Sequence, residues 1–173
     1  ASDVYKRQVI DMQNDFVSGV LGSTSAQTIV PLVLERIDTF DGKIIFTKDT
    51  HKEDYLDTME GKKLPVKHCI KGTYGHDIVD GLNTKNHEVI EKTSFGSPEL
   101  IYRLQEINKQ EPITSITLIG VCTDICVMVN AMTIKSFFPE IEIIVDSICC
   151  SGVTEELHKN ALNIMTGCQI KVI

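Results

Sequence analysis

No run of apolar residues in this sequence is long enough to span a bilayer, and no signal-peptide pattern opens it. A membrane protein is therefore not expected, and the expected compartment is the cytoplasm. Clusters of lysine and arginine are missing too, against a net charge of −7. That balance argues against nucleic acid or an anionic membrane as a partner. Internal repeats, low-complexity tracts and domain linkers are also lacking. A single domain over residues 1–173 is expected, with 42% hydrophobic and 24% charged residues, an ordinary globular composition. The six cysteines do not form the framework of a small disulfide-rich secreted protein. Reduced thiols are expected, with adjacent Cys149 and Cys150 filling core.

The N-terminal end lacks two things. There is no initiator methionine, and Asp3, Lys6, Arg7 and Gln8 interrupt the apolar run that should precede Val9-Ile10-Asp11. Residues 1–8 therefore read as a truncated or foreign segment, or as a polar strand start facing an edge.

The chain is organised around Ile119-Gly120-Val121-Cys122-Thr123-Asp124-Ile125-Cys126-Val127. The apolar run from Ile116 reads as a buried strand ending in a turn at Gly120. A helix follows, with Val127, Ala131, Ile134 and Phe138 on one face. Thr123 or Asp124 is the natural N-cap, which places Cys126 in the first turn. Free N–H groups and the positive dipole end there favour a thiolate. A cysteine taken alone is more often a small buried hydrophobe, so the other residues must decide.

In chain order, a loop over Ser18 to Ser25 leads to a helix opening at Pro31 and reaching about Phe40. Strand Ile44 to Thr47 precedes a long irregular segment, Asp49 to Gly81, and segments of that length are usually functional. Strand His87 to Ile90 comes next, then a helix capped by Ser97-Pro98 through about Asn108. After the central strand and helix come strand Ile141 to Val145, helix Thr154 to Thr166 and strand Gln169 to Ile173. This alternation predicts an α/β fold, a parallel sheet with helices on both faces. Ligands of such sheets bind beyond the carboxyl ends of the strands. Asp11, Asp49, Lys92 and Cys126 each follow an apolar run, so all four should meet at that edge.

There, Asp11 could take a proton from Cys126, with Lys92 balancing the negative charge. Each has a plain alternative: Asp11 as a turn cap, Lys92 as a solvated charge. A second set, Asp49, His51, Glu60 and His68, offers two carboxylates and two imidazoles suited to Zn²⁺, Fe²⁺ or Mn²⁺. His76, His87 and His158 lack such company and read as structural.

The order Asp-Met-Gln-Asn-Asp-Phe, Lys-Asp-Thr-His, His68-Cys69-Ile70-Lys71-Gly72-Thr73, Lys92-Thr93-Ser94-Phe95 and Gly-Val-Cys-Thr-Asp-Ile-Cys-Val resembles the isochorismatase-like cysteine hydrolases. Within them it is most similar to the nicotinamidases, from Val9 onward. The resemblance implies a six-stranded parallel sheet, a catalytic triad of Asp11, Lys92 and Cys126, and a divalent metal beside it. Zinc is the first expectation, with iron or manganese as alternatives, held by Asp49, His51, His68 and Glu60. It further implies an oxyanion hole from the N–H groups of Cys122 and Cys126, with a cis peptide entering Cys122. Phe16 and Phe95 resemble the aromatic residues that enclose the pyridine ring. Thr50 stands where relatives carry a large apolar residue, so one wall of the pocket is expected to be thinner. The implied substrate is a small amide, and self-association is common among relatives, so a homo-oligomer is expected. The rival within the fold is a cysteine amidohydrolase acting on a carbamoyl or ureido compound. Outside it stand a metal hydrolase with Cys126 as core, and a non-catalytic binding module.

Overall fold

The computed structural model describes residues 5–173. Six strands form one sheet in the order β3-β2-β1-β4-β5-β6, with every neighbouring pair parallel. They are β1 (Tyr5–Ile10), β2 (Lys43–Asp49), β3 (Glu88–Lys92), β4 (Ser115–Val121), β5 (Glu142–Ser151) and β6 (Lys171–Val172). The longer helices are α2 (Thr24–Asp38), α4 (Pro98–Gln110), α5 (Met128–Phe137) and α6 (Glu155–Gly167). Two short ones, α1 (Asn14–Val17) and α3 (Met59–Lys63), lie in the loops after β1 and β2. Among the described residues no helix is long and apolar enough to cross a membrane.

The chain runs outward from β1 to β3, returns to the centre at β4, then runs outward the other way. Right-handed crossovers must change face when that direction reverses. Accordingly, Val33 and Ile37 of α2 pack with Val9, Phe46 and Ile119 on one face. Leu104 of α4, Ile134 of α5 and Met165 of α6 pack with Ile10, Ile45 and Leu118 on the other. β4 is buried along its whole length, as a central parallel strand should be. The reversal lies between β1 and β4, and the crevice at their carboxyl ends is where such a sheet binds ligands.

Gly120 lets those two strands close up. Its φ is +124°, and a Cβ there would strike the Ile10 backbone. Asp11, the next residue, sits at φ +48° and leaves the strand abruptly.

Three local expectations are corrected. The second helix begins at Thr24, not Pro31, because the Ser23 hydroxyl accepts from the Ala26 N–H and caps it. Ala26, Ile29, Val33 and Ile37 then line its buried face, with Pro31 inside the helix on the exposed side. Neither Thr123 nor Asp124 caps the helix after β4. Residues Thr123–Val127 form a π turn, with Cys122 before it and no side-chain cap. Instead, Thr123 pairs with His158 Nδ1 at 2.7 Å, and Asp124 accepts from the Val153 N–H at 2.9 Å. Finally, β1 is central despite its polar residues. Lys6 and Gln8 are buried in it, while Arg7 lies over the Phe40 ring and donates to the Arg36 carbonyl. The first four residues of the suspect segment lie outside the described ones.

Candidate active site

The strand ends converge as the residue pattern requires. Asp49 and Lys92 are register partners at the ends of β2 and β3, and Asp11 follows β1 on the far side of β2. Only a long side chain reaches across, and Lys92 does so, fully buried. Its Nζ lies 2.7 Å from Asp11 Oδ2, 3.3 Å from Asp49 Oδ1 and 3.4 Å from Cys126 Sγ, and donates to the Ser94 carbonyl at 3.1 Å. The other Asp11 oxygen accepts from the Thr47 hydroxyl at 2.7 Å.

Burial and neighbouring charge set the protonation of this group. Burial would lower the Lys92 pKa, but Asp11, Cys126 and Asp49 together raise it, so the ammonium persists. Burial raises Asp11 above the usual carboxylate range, with Lys92 offsetting part of the rise. Burial, then the Asp11 charge, push Cys126 well above an ordinary thiol, against the pull of Lys92. This is opposite to the thiolate expected from the helix terminus. The buried thiol has lost more by leaving water than the turn's N–H groups return.

Cys126 sits in the π turn. The Cys122 carbonyl accepts from Ile125 at 3.0 Å and from Val127 at 3.1 Å, passing over the Cys126 N–H between them. The Val121–Cys122 peptide is cis.

The second set lies beside the first. Asp49 Oδ2 is 2.8 Å from His51 Nε2 and 3.6 Å from His68 Nε2. Glu60 Oε1 is 3.7 Å from His51 Nε2 and 3.8 Å from His68 Nε2. One ligand atom from each residue falls within 4.8 Å of all the others. Ligands of a tetrahedral zinc stand about 3.3 Å apart, so small adjustments would close this set around one ion. Supporting contacts agree. His68 Nδ1–H donates to the Val66 carbonyl at 2.8 Å, leaving Nε2 free toward the carboxylates. Buried Tyr55 lies edge-on to both imidazoles. Burial would raise Asp49, but hydrogen bonds with His51 and His68 hold it well below the usual range. Burial and the Asp49 charge raise Glu60. Two close carboxylates, one already strained toward protonation, suit a divalent cation.

Both sets open on a cavity of about 390 Å³ lined by Phe16, Leu64, Phe95, Val121, Ile125 and Val153, with Asp49, Glu60, His68, Cys122 and Cys126 among its polar residues. Phe16 packs edge-on against His68, and Phe95 stands half-exposed at the rim. Thr50 is not part of the lining. Its hydroxyl pairs with His76 Nε2 at 2.9 Å, and Leu64 supplies apolar wall instead.

Sequence reasoning missed the residues that hold these groups. Thr47 fixes Asp11. Gln13, fully buried, accepts from the Asp49 N–H at 2.7 Å and donates to the Asp49 and His76 carbonyls, each at 2.8 Å. The available signal was a polar residue closing or following a buried apolar run.

Comparison with known proteins places the fold among known ones. The Isochorismatase domain family matches residues 9–173. A nicotinamidase of Schizosaccharomyces pombe is 30% identical over 203 residues, spanning 95% of this chain and 90% of that protein. The crystal structure of a Pyrococcus horikoshii pyrazinamidase in complex with zinc superimposes with a TM-score of 0.85 at 25% identity, covering 98% of each chain. A pyrazinamidase/nicotinamidase from Streptococcus mutans gives 0.83 at 28% identity, covering 98% of this chain and 99% of that one.

Proposed function

This chain belongs to the isochorismatase domain family, and from that premise we propose that it is a nicotinamidase, a hydrolase of an amide C–N bond that releases ammonia from nicotinamide. The observation that carries the reading is the position of Lys92 Nζ, in contact with Asp11, Asp49 and Cys126 at once. An ammonium there has no use in a purely structural core, where burying it would only cost free energy.

The pyridine ring lies in the apolar cavity between Phe16 and Phe95, with its carboxamide toward Cys126. Asp11 takes the thiol proton as Sγ attacks the carbonyl carbon. Lys92 keeps the net charge of the buried pair tolerable. The N–H groups of Cys122 and Cys126 receive the oxyanion, each such donor being worth roughly 3–4 kcal/mol of barrier. Asp11 then gives its proton to the departing amine, and ammonia leaves. Water enters, Asp11 accepts a proton from it, and the thioester is hydrolysed to the carboxylic acid and free thiol. Asp49, His51, Glu60 and His68 would hold a divalent ion whose chemistry is that of a Lewis acid, able to bind a ring nitrogen and fix the ring's orientation.

The donor set also weighs against a carbamoyl or ureido substrate, which offers such an ion no ring nitrogen. Ammonia release from nicotinamide by the wild type and Cys126→Ala, with and without chelator, tests the reading. Turnover lost in the variant and reduced by chelator is the expected result. Turnover retained by Cys126→Ala would instead make the thiol a core residue.

A further inference from the structure

Asn130 is one helical turn beyond Cys126, in the interior of α5 and almost fully buried. Asparagine is a poor choice for a helix interior and a costly group to bury unless its amide is satisfied. Here the amide is used on both sides. Its Nδ2 donates to the Cys126 carbonyl at 2.8 Å and to the Phe95 carbonyl at 3.0 Å, and its Oδ1 accepts from the Ser97 N–H at 3.0 Å. The two carbonyls and the N–H leave only one orientation that satisfies all three, so the assignment of nitrogen and oxygen is unambiguous.

The partners matter more than their number. Cys126 carries the thiol, Phe95 forms the rim of the cavity, and Ser97 caps α4 through its hydroxyl on the Leu100 N–H. Between β3 and α4 the chain has no regular structure, and Phe95 itself is half-exposed. Two ties bring this stretch onto the site: Lys92 Nζ on the Ser94 carbonyl, and the Asn130 amide on Phe95 and Ser97. A leucine would fill the same space in α5 but could make none of these bonds.

We propose that Asn130 is a positioning residue that sets the distance between the nucleophile turn and the aromatic rim, so that Cys126 and Phe95 engage one substrate together. This rests on the hydrolase reading above. It predicts a kinetic effect larger than the effect on stability, because misplacing a reacting group by an ångström can cost about 100-fold in rate.

Two variants separate positioning from support. Asn130→Leu removes all three bonds without adding charge. Asn130→Asp keeps an acceptor for Ser97, and so the anchoring of α4, but donates to neither carbonyl. Per folded molecule, both should lower kcat for nicotinamide by about 100-fold and raise KM. Wild-type kcat and KM in either folded variant, whatever its Tm, would overturn the proposal. Amide hydrogen exchange supplies a readout independent of the substrate. The Ser97 amide should be protected in the wild type and in Asn130→Asp, and should exchange about tenfold faster in Asn130→Leu with the sheet unaffected. A wild type inactive on nicotinamide but showing this exchange pattern would defeat the substrate assignment and leave the tether standing. Rapid exchange of Ser97 in the wild type would defeat the tether itself.

Discussion

Asp49 divides its carboxylate between two chemistries: Oδ1 is 3.3 Å from Lys92 Nζ and Oδ2 is 2.8 Å from His51 Nε2. The residue that completes the ammonium's surroundings is therefore also a candidate metal ligand. The two halves of the site are joined through one side chain rather than merely adjacent. Loss of the ion and loss of the thiol should nonetheless read differently, because Cys126 contacts Lys92 and not the imidazoles.

The protein as purified should carry about one divalent ion per chain, the stoichiometry of a four-donor site. His51→Ala and His68→Ala should each lose it, raising KM for nicotinamide more than they change alkylation of Cys126. Chelation should also lower Tm, since an ion held at a hundred times its Kd adds about 2.7 kcal/mol. Elemental analysis and a thermal scan check both effects. Full activity without any bound ion would defeat this expectation.

Lys92→Met should abolish turnover and also destabilise the fold by roughly 3–5 kcal/mol, because Asp11 and Asp49 are left buried beside no ammonium. Adding Asp11→Leu should recover part of the stability and none of the activity. Cys126→Ala is the control: it removes turnover but leaves the Lys92–Asp11 pair intact, so its denaturation midpoint should stay near that of the wild type. Urea unfolding of the three variants distinguishes a charge network from a solvated lysine.

Most strand ends were legible because an apolar run that gives way to charged residues marks the carboxyl end of a buried strand, and the site gathers at those ends. Asp11, Asp49 and Lys92 were visible on that basis. The helix start at Thr24 was not, because Pro31 is so strong a first-turn signal that it hid the Ser23 cap. The state of Cys126 was hidden for a different reason. Local sequence shows a helix terminus, whereas burial depends on α4, α5 and the loops that close over the thiol. Apart from the Asn130 bond to the Cys126 carbonyl four residues back, Asn130 and Gln13 act through backbone groups 33 to 63 residues away. No local pattern encodes such partners.

The buried thiols make stability fall on the alkaline side. Burial raises Cys126 far above its unfolded value, Cys122 to about 12 and Cys149 to about 11. Above an unfolded thiol pKa of roughly 8.5, the unfolded chain has released protons that the folded chain still holds. The folded state then binds more protons, so stability is fully present below that pH and declines as pH rises toward the folded values. Each such thiol steepens the decline by up to about 1.4 kcal/mol per pH unit. Cys126→Ser should make the slope between pH 8.5 and 10 shallower by about one proton. Denaturation midpoints across that range test the sign, and a slope unchanged by the substitution would mean the folded thiol already ionises with the unfolded one.

Gln8 is the weakest feature of the central strand. It is fully buried, and neither atom of its side-chain amide has a hydrogen-bond partner. Its neighbours differ: Arg7 donates to the Arg36 carbonyl, and burial lowers the Lys6 pKa with the charge of Glu111 offsetting part of the fall. Arg7 also leaves its Nε buried without a hydrogen-bond partner, but Gln8 alone has its whole polar group unsatisfied, on a strand flanked by β2 and β4. An unsatisfied buried amide costs roughly 1–3 kcal/mol, whereas an apolar side chain of similar size there would cost nothing of the kind. Gln8→Leu should therefore raise Tm by several degrees, a change of about 1 kcal/mol moving Tm by about 2–4 °C in a chain of this size. Lys6→Leu should gain less, because the lysine already has a charged neighbour. Because Asp11 leaves the same strand three residues later, kcat should hold or rise in Gln8→Leu. A lower Tm in that variant would mean the amide finds partners inside the sheet, and that β1 is satisfied as it stands.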